Sequence, residues 1–255
     1  MKKIPLACQL YSVHRSMAKD FEGTVREVAK AGYEGVEFYG GLKTWTAEQI
    51  NAVIKETGLK ICGWHSSIDD FSAENIKSTI AFHKAIGNVS VVVPGLPAEM
   101  TATAAAWHKT AERFNEIVKV LKEEGMYTGY HNHFTEFTPV DGEIPWDILA
   151  TETDPAFALQ IDNGNAMSGG ADPMVYLKKY PGRARTFHFK PYSKANGFDV
   201  TPTVDDDVPY EETIAELVRQ NATEWVIAEY ETEKLYTDIE GVKIFYKNLS
   251  KLLEG

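Results

Sequence analysis

The densest group of reactive side chains lies in residues 130–136, which include two histidines, an asparagine and a glutamate. It directly follows residues 126–129, which predict a short buried strand. Three later strand-like runs also end in ligand-type side chains, namely Asp162, then His188 and Lys190, then Glu229 and Glu231. Imidazoles and carboxylates are the groups that bind divalent cations and transfer protons in enzymes. We therefore interpret the four strand ends as parts of one site.

The spacing of these residues predicts that they face a common space. Side chains alternate along a strand, so residues two positions apart share a face. Such pairs are His131 with His133, His188 with Lys190, and Glu229 with Glu231. If these faces point inward, four successive strand ends present histidine, aspartate, histidine and glutamate to one ion. Neighbouring strands lie about 4.8 Å apart, which allows this convergence.

A ligand set of this kind, without thiolates, suits a divalent metal. We expect one ion, with Mn²⁺ as the first choice and Co²⁺, Zn²⁺ or Mg²⁺ as alternatives. Each residue also has a structural interpretation: Asp162 could cap the loop after it, Glu229 could pair with Lys190, and Glu231 could be solvated. Their joint occurrence on consecutive strand ends favours the metal site.

Polar residues at the other strand ends extend the predicted site. Together with His133, the candidate substrate contacts are Gln9, Tyr11, Glu37 and His65. For Glu37 and His65 a structural hydrogen bond is an equal alternative. Aromatic residues such as Tyr11 could form a wall for a sugar ring or could be ordinary packing.

The elements that must position these residues alternate along the chain. Predicted strands cover residues 4–11, 33–38, 59–65, 89–94, 126–129, 157–162, 184–190 and 225–230. Predicted helices cover residues 21–31, 46–57, 72–86, 104–124, 211–220 and 237–253, with short ones near Ile148 and after Asp172. Eight strand-then-helix units call for parallel strands with right-handed crossovers. We predict an α/β fold, a (β/α)8 TIM barrel forming a single domain over residues 1–255. A doubly wound sheet is disfavoured because no glycine-rich turn follows the first strand.

Composition excludes several classes of function. The formal net charge of −11 comes without a basic stripe, so we expect no nucleic-acid partner. We expect no membrane attachment either, since no apolar run approaches the roughly 20 residues that span a bilayer. The two cysteines fall on strands that would not be neighbours, which favours a reduced, cytoplasmic setting.

The chain resembles the xylose-isomerase-like TIM-barrel superfamily, in its sugar phosphate isomerase/epimerase branch. The resemblance covers essentially the whole chain and rests on the segments 9–12, 35–38, 64–66, 131–137, 162–165, 188–190 and 229–231. It implies a metal held by residues after the fifth to eighth strands. The last three of these positions match Asp162, His188 and Glu229, and the first falls on Glu136 or His131.

The resemblance implies a divalent-metal isomerase or epimerase acting on a small sugar or keto-sugar through an enediolate. The metal would bind a carbonyl and an adjacent hydroxyl. Glu229 or Glu136 would then move the proton, and Lys190 or His188 would stabilise the enolate charge. The alternatives are a lyase or hydrolase that uses the same enolate, a dehydratase or a 3-keto-glycoside-cleaving enzyme among them, and a non-catalytic sugar-binding barrel. Assembly into a homo-oligomer stays open.

Overall fold

Eight parallel strands close into a barrel, each paired with the next along the chain and the last paired with the first. This computed structural model describes residues 3–41, 44–232 and 234–254. The strands are β1 (Leu6–Gln9), β2 (Gly35–Tyr39), β3 (Lys60–His65), β4 (Ser90–Val93), β5 (Tyr127–His131), β6 (Ala158–Asp162), β7 (Thr186–Phe189) and β8 (Trp225–Ala228). The predicted (β/α)8 barrel is confirmed.

Helices follow the strands and form the outer layer. They are α1 (His14–Lys19), α2 (Phe21–Ala31), α3 (Ala47–Thr57), α4 (Ile76–Ala85), α5 (Ala104–Glu123), α6 (Pro145–Glu152), α7 (Asn163–Ser168), α8 (Pro173–Lys179), α9 (Tyr210–Gln220) and α10 (Asp238–Glu254). Within the described ranges, none of them combines the length and apolarity that a membrane span requires.

Local capping chemistry explains why the helices start where they do. The Asp20 carboxylate accepts a hydrogen bond from the backbone N–H of Gly23 and begins α2. Thr46 and Gln49 form a reciprocal capping box at the start of α3. Such caps satisfy backbone donors that have no partner within the helix.

The first strand is shorter than predicted, and the reason lies in a side chain of the site. β1 ends at Gln9, whose Oε1 accepts a hydrogen bond from the backbone N–H of Tyr11 at 3.0 Å. This contact turns the chain into a 3-10 helix over Leu10–Val13. The short polar helix α1 that follows has no clear hydrophobic period and was not predicted from the sequence.

The interior of the barrel changes character along its axis. Near the amino ends of the strands, Ala7, Cys62 and Ile227 form a small apolar cluster. One layer towards the carboxyl ends, the buried side chains are polar and include Gln9, Glu37 and Gln160. Both cysteines are free and buried. The polar layer supports the site described below.

A buried histidine outside the site, His83 on α4, makes stability depend on pH. Its Nδ1 lies 3.1 Å from the amide nitrogen of Asn88, and its Nε2 has no hydrogen-bond partner. The ring packs edge-on against Trp64 and Phe82. Burial lowers the pKa of His83 to about 4.

We predict that His83→Gln flattens the acid side of the stability profile. Between about pH 6.5 and pH 4 the unfolded chain binds a proton at His83 that the folded chain does not. The free energy of unfolding of the natural chain therefore falls as the pH falls, by up to about 1.4 kcal/mol per pH unit from this group. Urea unfolding at several pH values measures the difference.

His108→Gln is the control of opposite sign. Glu152 and Glu143 raise the pKa of His108, so this group stabilises the fold as the pH falls. Its removal should steepen the loss of stability in acid. If the free energy of unfolding changes with pH in the same way in the natural chain and in His83→Gln, the lowered pKa assigned to His83 is contradicted.

Candidate metal and substrate site

The ends of four consecutive strands bring together His131, Asp162, His188 and Glu229. One ligand atom from each lies within 4.8 Å of the others, and all four side chains are buried. The barrel register explains the convergence, since Asp162 of β6 is the direct partner of His188 of β7. A second, overlapping group contains His65, His131 and His188. Convergence of these residue types was the central expectation from the sequence.

A close backbone approach explains why β5 contributes His131 to this group. Gly129 shares the face of His131 two residues earlier. A Cβ at Gly129 would lie 2.3 Å from the carbonyl oxygen of Ala158, which no side chain tolerates. Of these two residues at the carboxyl end of β5, only His131 can therefore carry a ligand.

Two ligand-type atoms of the group face each other at a distance too long for a hydrogen bond. Asp162 Oδ1 accepts from the backbone N–H of Asn165 at 2.7 Å, which caps α7, but its Oδ2 is buried and has no hydrogen-bond partner. His131 Nε2 lies 3.9 Å from that Oδ2. A buried oxygen without a donor is costly. A cation bound between these atoms would satisfy both, so the donor set fits a divalent metal.

His188 lies between two carboxylates. Its Nδ1 is 2.6 Å from Glu229 Oε2 and its Nε2 is 2.8 Å from Glu37 Oε2. Burial opposes protonation, but Glu37 and Glu229 outweigh it and raise the pKa of His188 to about 10. With a metal at Nδ1, the Nε2–H would still donate to Glu37. Metal-ligating histidines usually have such a carboxylate partner.

The other ionisable groups also have shifted pKa values. Burial raises the pKa of Asp162 to about 7 despite nearby Lys190. Burial and the neighbouring His188 and His65 hold the pKa of His131 well below its usual range, so this imidazole is neutral. A neutral imidazole is the form that binds a metal.

Lys190 lies between the two glutamates that follow β8. Its Nζ donates to Glu229 Oε1 at 3.1 Å and to Glu231 Oε2 at 2.6 Å. Burial disfavours the ammonium, yet Glu229, Asp162 and Glu231 outweigh it and raise the pKa of Lys190. Burial by itself would raise the pKa of Glu229, but Lys190 and His188 hold that pKa well below its usual range. The lysine therefore stays charged.

A cavity of about 530 Å³ opens above the group, at the carboxyl ends of the strands. Its walls include four of the predicted substrate contacts, namely Gln9, Tyr11, His65 and His133, together with Tyr39, His131, Glu229 and Glu231. The volume suits a small-molecule ligand. Glu37 is not among the wall residues, because it lies fully buried below them and its carboxylate binds Gln9, His65 and His188.

Glu136, the other candidate for the ligand after β5, has a different environment. Its carboxylate accepts hydrogen bonds from the Tyr130 and Thr135 hydroxyls and from the backbone N–H of His133. These contacts shape the loop after β5. Among the described residues, the group of converging donors contains His131 and not Glu136, so a role for Glu136 stays a prediction.

Sequence reasoning missed Gln160, which contacts three of the predicted site residues at once. Its amide nitrogen donates to Glu37 Oε1 at 2.9 Å, and its Oε1 lies 2.7 Å from His65 Nε2 and 2.9 Å from His131 Nδ1. A signal was present in the sequence. Gln160 stands two residues before Asp162, hence on the same inward face of the strand.

We predict that Asp162→Asn lowers metal affinity at least tenfold while the barrel stays folded. The asparagine keeps an oxygen for the Asn165 N–H but loses the charge that a cation needs, and it relieves repulsion between buried carboxylates. Metal content after dialysis against Mn²⁺ or Zn²⁺, measured by elemental analysis, gives the affinity.

The matched control is Glu231→Gln, which removes a nearby charge from outside the four-residue group. It should keep the metal content of the natural chain. Equal metal retention in Asp162→Asn and in the natural chain would refute the ligand set.

One relative in sequence is distant and matches only part of the chain. Over 190 residues the chain is 27% identical to an inosose dehydratase of Bacillus anthracis, a stretch that covers 67% of this chain and 63% of that protein. The match therefore spans a little under two thirds of the relative's length.

Solved structures share the fold over nearly the whole chain. A sugar phosphate isomerase/epimerase from Parabacteroides distasonis superposes with a TM-score of 0.82 at 21% identity, covering 99% of this chain and 96% of its own. The IOLI protein, described with a bound zinc atom, gives a TM-score of 0.76 at 14% identity, with 98% of both chains covered. The family model for the xylose isomerase-like TIM barrel matches residues 25–251. The protein therefore belongs to the xylose isomerase-like TIM barrel family.

Proposed function

We propose that the protein is a metal-dependent dehydratase of a small keto-polyol, a keto-cyclitol or keto-sugar, that removes water through an enolate. One observation carries this choice over epimerisation. Among the described residues that line the cavity, the carboxylates Glu229 and Glu231 both follow β8, whereas β5 presents the imidazoles of His131 and His133. Carboxylates on one side of the substrate suit removal of a proton and loss of hydroxide on the same face.

His131, Asp162, His188 and Glu229 would hold the metal. When bound, a divalent ion supplies a Lewis acid that polarises a carbonyl and so acidifies the adjacent C–H. Two imidazoles and two carboxylates suit Zn²⁺ as well as Mn²⁺, and the IOLI protein, which shares the fold, is described with a zinc atom. We therefore propose a divalent ion without choosing between them.

The residues around the substrate divide the proton transfers. Glu229 accepts the proton from the carbon next to the carbonyl, since its carboxylate borders the cavity and Lys190 and His188 keep it ionised. The carbon–oxygen bond at the β position then breaks, a carbon–carbon double bond forms, and the departing hydroxide takes up a proton to leave as water. The proton that Glu229 removed supplies this transfer, so Glu229 ends the reaction ionised as it began, and Glu231 lies beside it on the same wall.

Similarity supports this choice in a limited way. The relatives matched in sequence include inosose dehydratases at 26–27% identity, which act by name on a keto-cyclitol. Their match covers 63% of their length. The keto-polyol class therefore rests jointly on the cavity size, the donor set and this partial likeness.

An isomerase or epimerase is the second candidate, and the position of His133 favours it. This imidazole lines the cavity from the β5 side, three strands round the barrel from Glu229. Burial lowers the pKa of His133, so a neutral ring is available there. A neutral ring can accept a proton on the face opposite Glu229, and epimerisation requires such an acid–base group on each face.

Incubation of the metal-loaded protein with a panel of keto-cyclitols and keto-sugars in D2O separates the candidates. The dehydratase gives a product whose mass has fallen by one water. An isomerase or epimerase gives a product of equal backbone composition with deuterium at the exchanged carbon. Binding without deuterium uptake or mass loss would leave only a sugar-binding barrel and would refute both enzymatic proposals.

We predict that Lys190→Met lowers turnover by roughly 10²–10³-fold with the metal retained. The ammonium has three N–H donors, and the hydrogen bonds of the structure use two of them for Glu229 and Glu231. In this proposal the third would donate to the substrate oxygen that becomes negative in the enolate. Steady-state kinetics and metal analysis on the same preparation test this.

Thermal unfolding separates the structural role from the catalytic one. A purely structural Lys190 would lower the melting temperature, because the two glutamates would face each other unpaired, and would leave turnover nearly normal. That outcome would remove Lys190 from the mechanism.

A further inference from the structure

The hydrogen bonds beneath the metal group fix the positions of its protons, and the starting point is a backbone donor. The N–H of Tyr11 can only donate, so the Gln9 side-chain atom that it contacts at 3.0 Å is the oxygen. The Gln9 amide nitrogen therefore faces Glu37 Oε2 at 2.7 Å and His65 Nδ1 at 3.4 Å. Because the amide donates, His65 Nδ1 is the bare nitrogen of its ring and Nε2 carries the hydrogen.

The orientation of Gln160 follows from the carboxylate next to it. Glu37 is fully buried, and its carboxylate already accepts a hydrogen bond from the Gln9 amide at 2.7 Å, so its oxygens act as acceptors here. The Gln160 group 2.9 Å from Glu37 Oε1 is therefore the amide NH₂, which also donates to Thr186 Oγ1 at 2.7 Å. The Gln160 carbonyl oxygen then has to face the two imidazoles.

A carbonyl oxygen accepts and cannot donate. It lies 2.7 Å from His65 Nε2, which agrees with the proton placed there through Gln9, and 2.9 Å from His131 Nδ1. His131 Nδ1 therefore also carries a hydrogen. The remaining nitrogen of His131, Nε2, is bare and faces the unpartnered Oδ2 of Asp162 at 3.9 Å.

We infer that Gln160 is a positioning residue that selects the Nδ1–H tautomer of His131 and so presents its Nε2 lone pair to the metal. The inference rests on the metal site of the proposed function. Gln160 is itself fully buried and has no access to the cavity, so it acts through His131. A residue that orients a metal ligand through a hydrogen bond commonly contributes 10- to 100-fold to metal affinity.

The primary test is independent of metal. Nitrogen-15 NMR of metal-free protein labelled at histidine distinguishes a ring nitrogen that carries hydrogen from a bare one, and His131→Gln identifies the signals of His131. The natural chain should show His131 with hydrogen on Nδ1. A ring with hydrogen on Nε2 in the natural chain would overturn the inference before any variant is made.

Two substitutions of similar length separate positioning from packing. Gln160→Met removes the acceptor, so His131 should lose its tautomer preference and the affinity for Zn²⁺ should fall about 10- to 100-fold. Gln160→Glu keeps an acceptor towards His131 while it loses the donors to Glu37 and Thr186 and adds a like charge. It should keep the Nδ1–H tautomer even if it unfolds more easily.

Thr186→Val is the matched control, because it removes one hydrogen bond from the Gln160 nitrogen and leaves the oxygen untouched. In Thr186→Val, His131 should keep its Nδ1–H tautomer, and the Zn²⁺ affinity should stay within about twofold of that of the natural chain. If Gln160→Met keeps both, the positioning role is refuted. If the tautomers follow these expectations but no protein binds Zn²⁺, Mn²⁺ or Co²⁺, the role of Gln160 in orienting His131 stands and the proposed metal site fails.

Discussion

The burial of the Glu37 carboxylate is the constraint on which the rest of the site depends. A carboxylate with no exposed surface would be neutral or strongly destabilising unless donors surrounded it. Here Gln9, His65, His188 and Gln160 supply those donors from four other strands. These hydrogen bonds fix each donor in position, and the fixed donors form a rigid base beneath the side chains of the site.

This base links the two parts of the site. His188 connects Glu37 to the metal group, and His65 connects it to the cavity wall. Because these contacts are strong, buried and mutually dependent, a change in one is felt by the others. The arrangement allows a group of buried charges at the mouth of the barrel, where the cations Lys190 and His188 pair with the carboxylates Glu37 and Glu229.

Much of the fold could be predicted because its signals are local. Helix α2 begins and ends at Phe21 and Ala31, where the sequence places it, since Asp20 caps one end and Gly32 the other. The alternation of strands and helices was enough to predict the closed parallel barrel. The strand ends were less predictable, because the end of β1 depends on a side chain-to-backbone bond between Gln9 and Tyr11.

The site was predictable in its residue types and not in its contacts. A period of two along each strand brought His131, Asp162, His188 and Glu229 to one face. Which carboxylate approaches the metal and which supports it from below depends on depth along the barrel axis, and depth is set by register between strands. For that reason Glu37 lies beneath the cavity wall, and Gln160, an amide with no distinctive motif, went unnoticed.

The single carbonyl oxygen shared by His65 and His131 has a consequence for how this barrel could diverge. Gly129 cannot carry a side chain, so a carboxylate at the β5 position of the metal group would have to replace His131 itself. A glutamate there would bring its oxygens against the Gln160 oxygen, and two acceptors would meet where a donor now stands. Rotating the amide would relieve that conflict but would turn its oxygen towards Glu37. A change from His131 to a glutamate ligand on β5 therefore requires paired substitutions at positions 131 and 160, and either substitution alone gives a less stable protein.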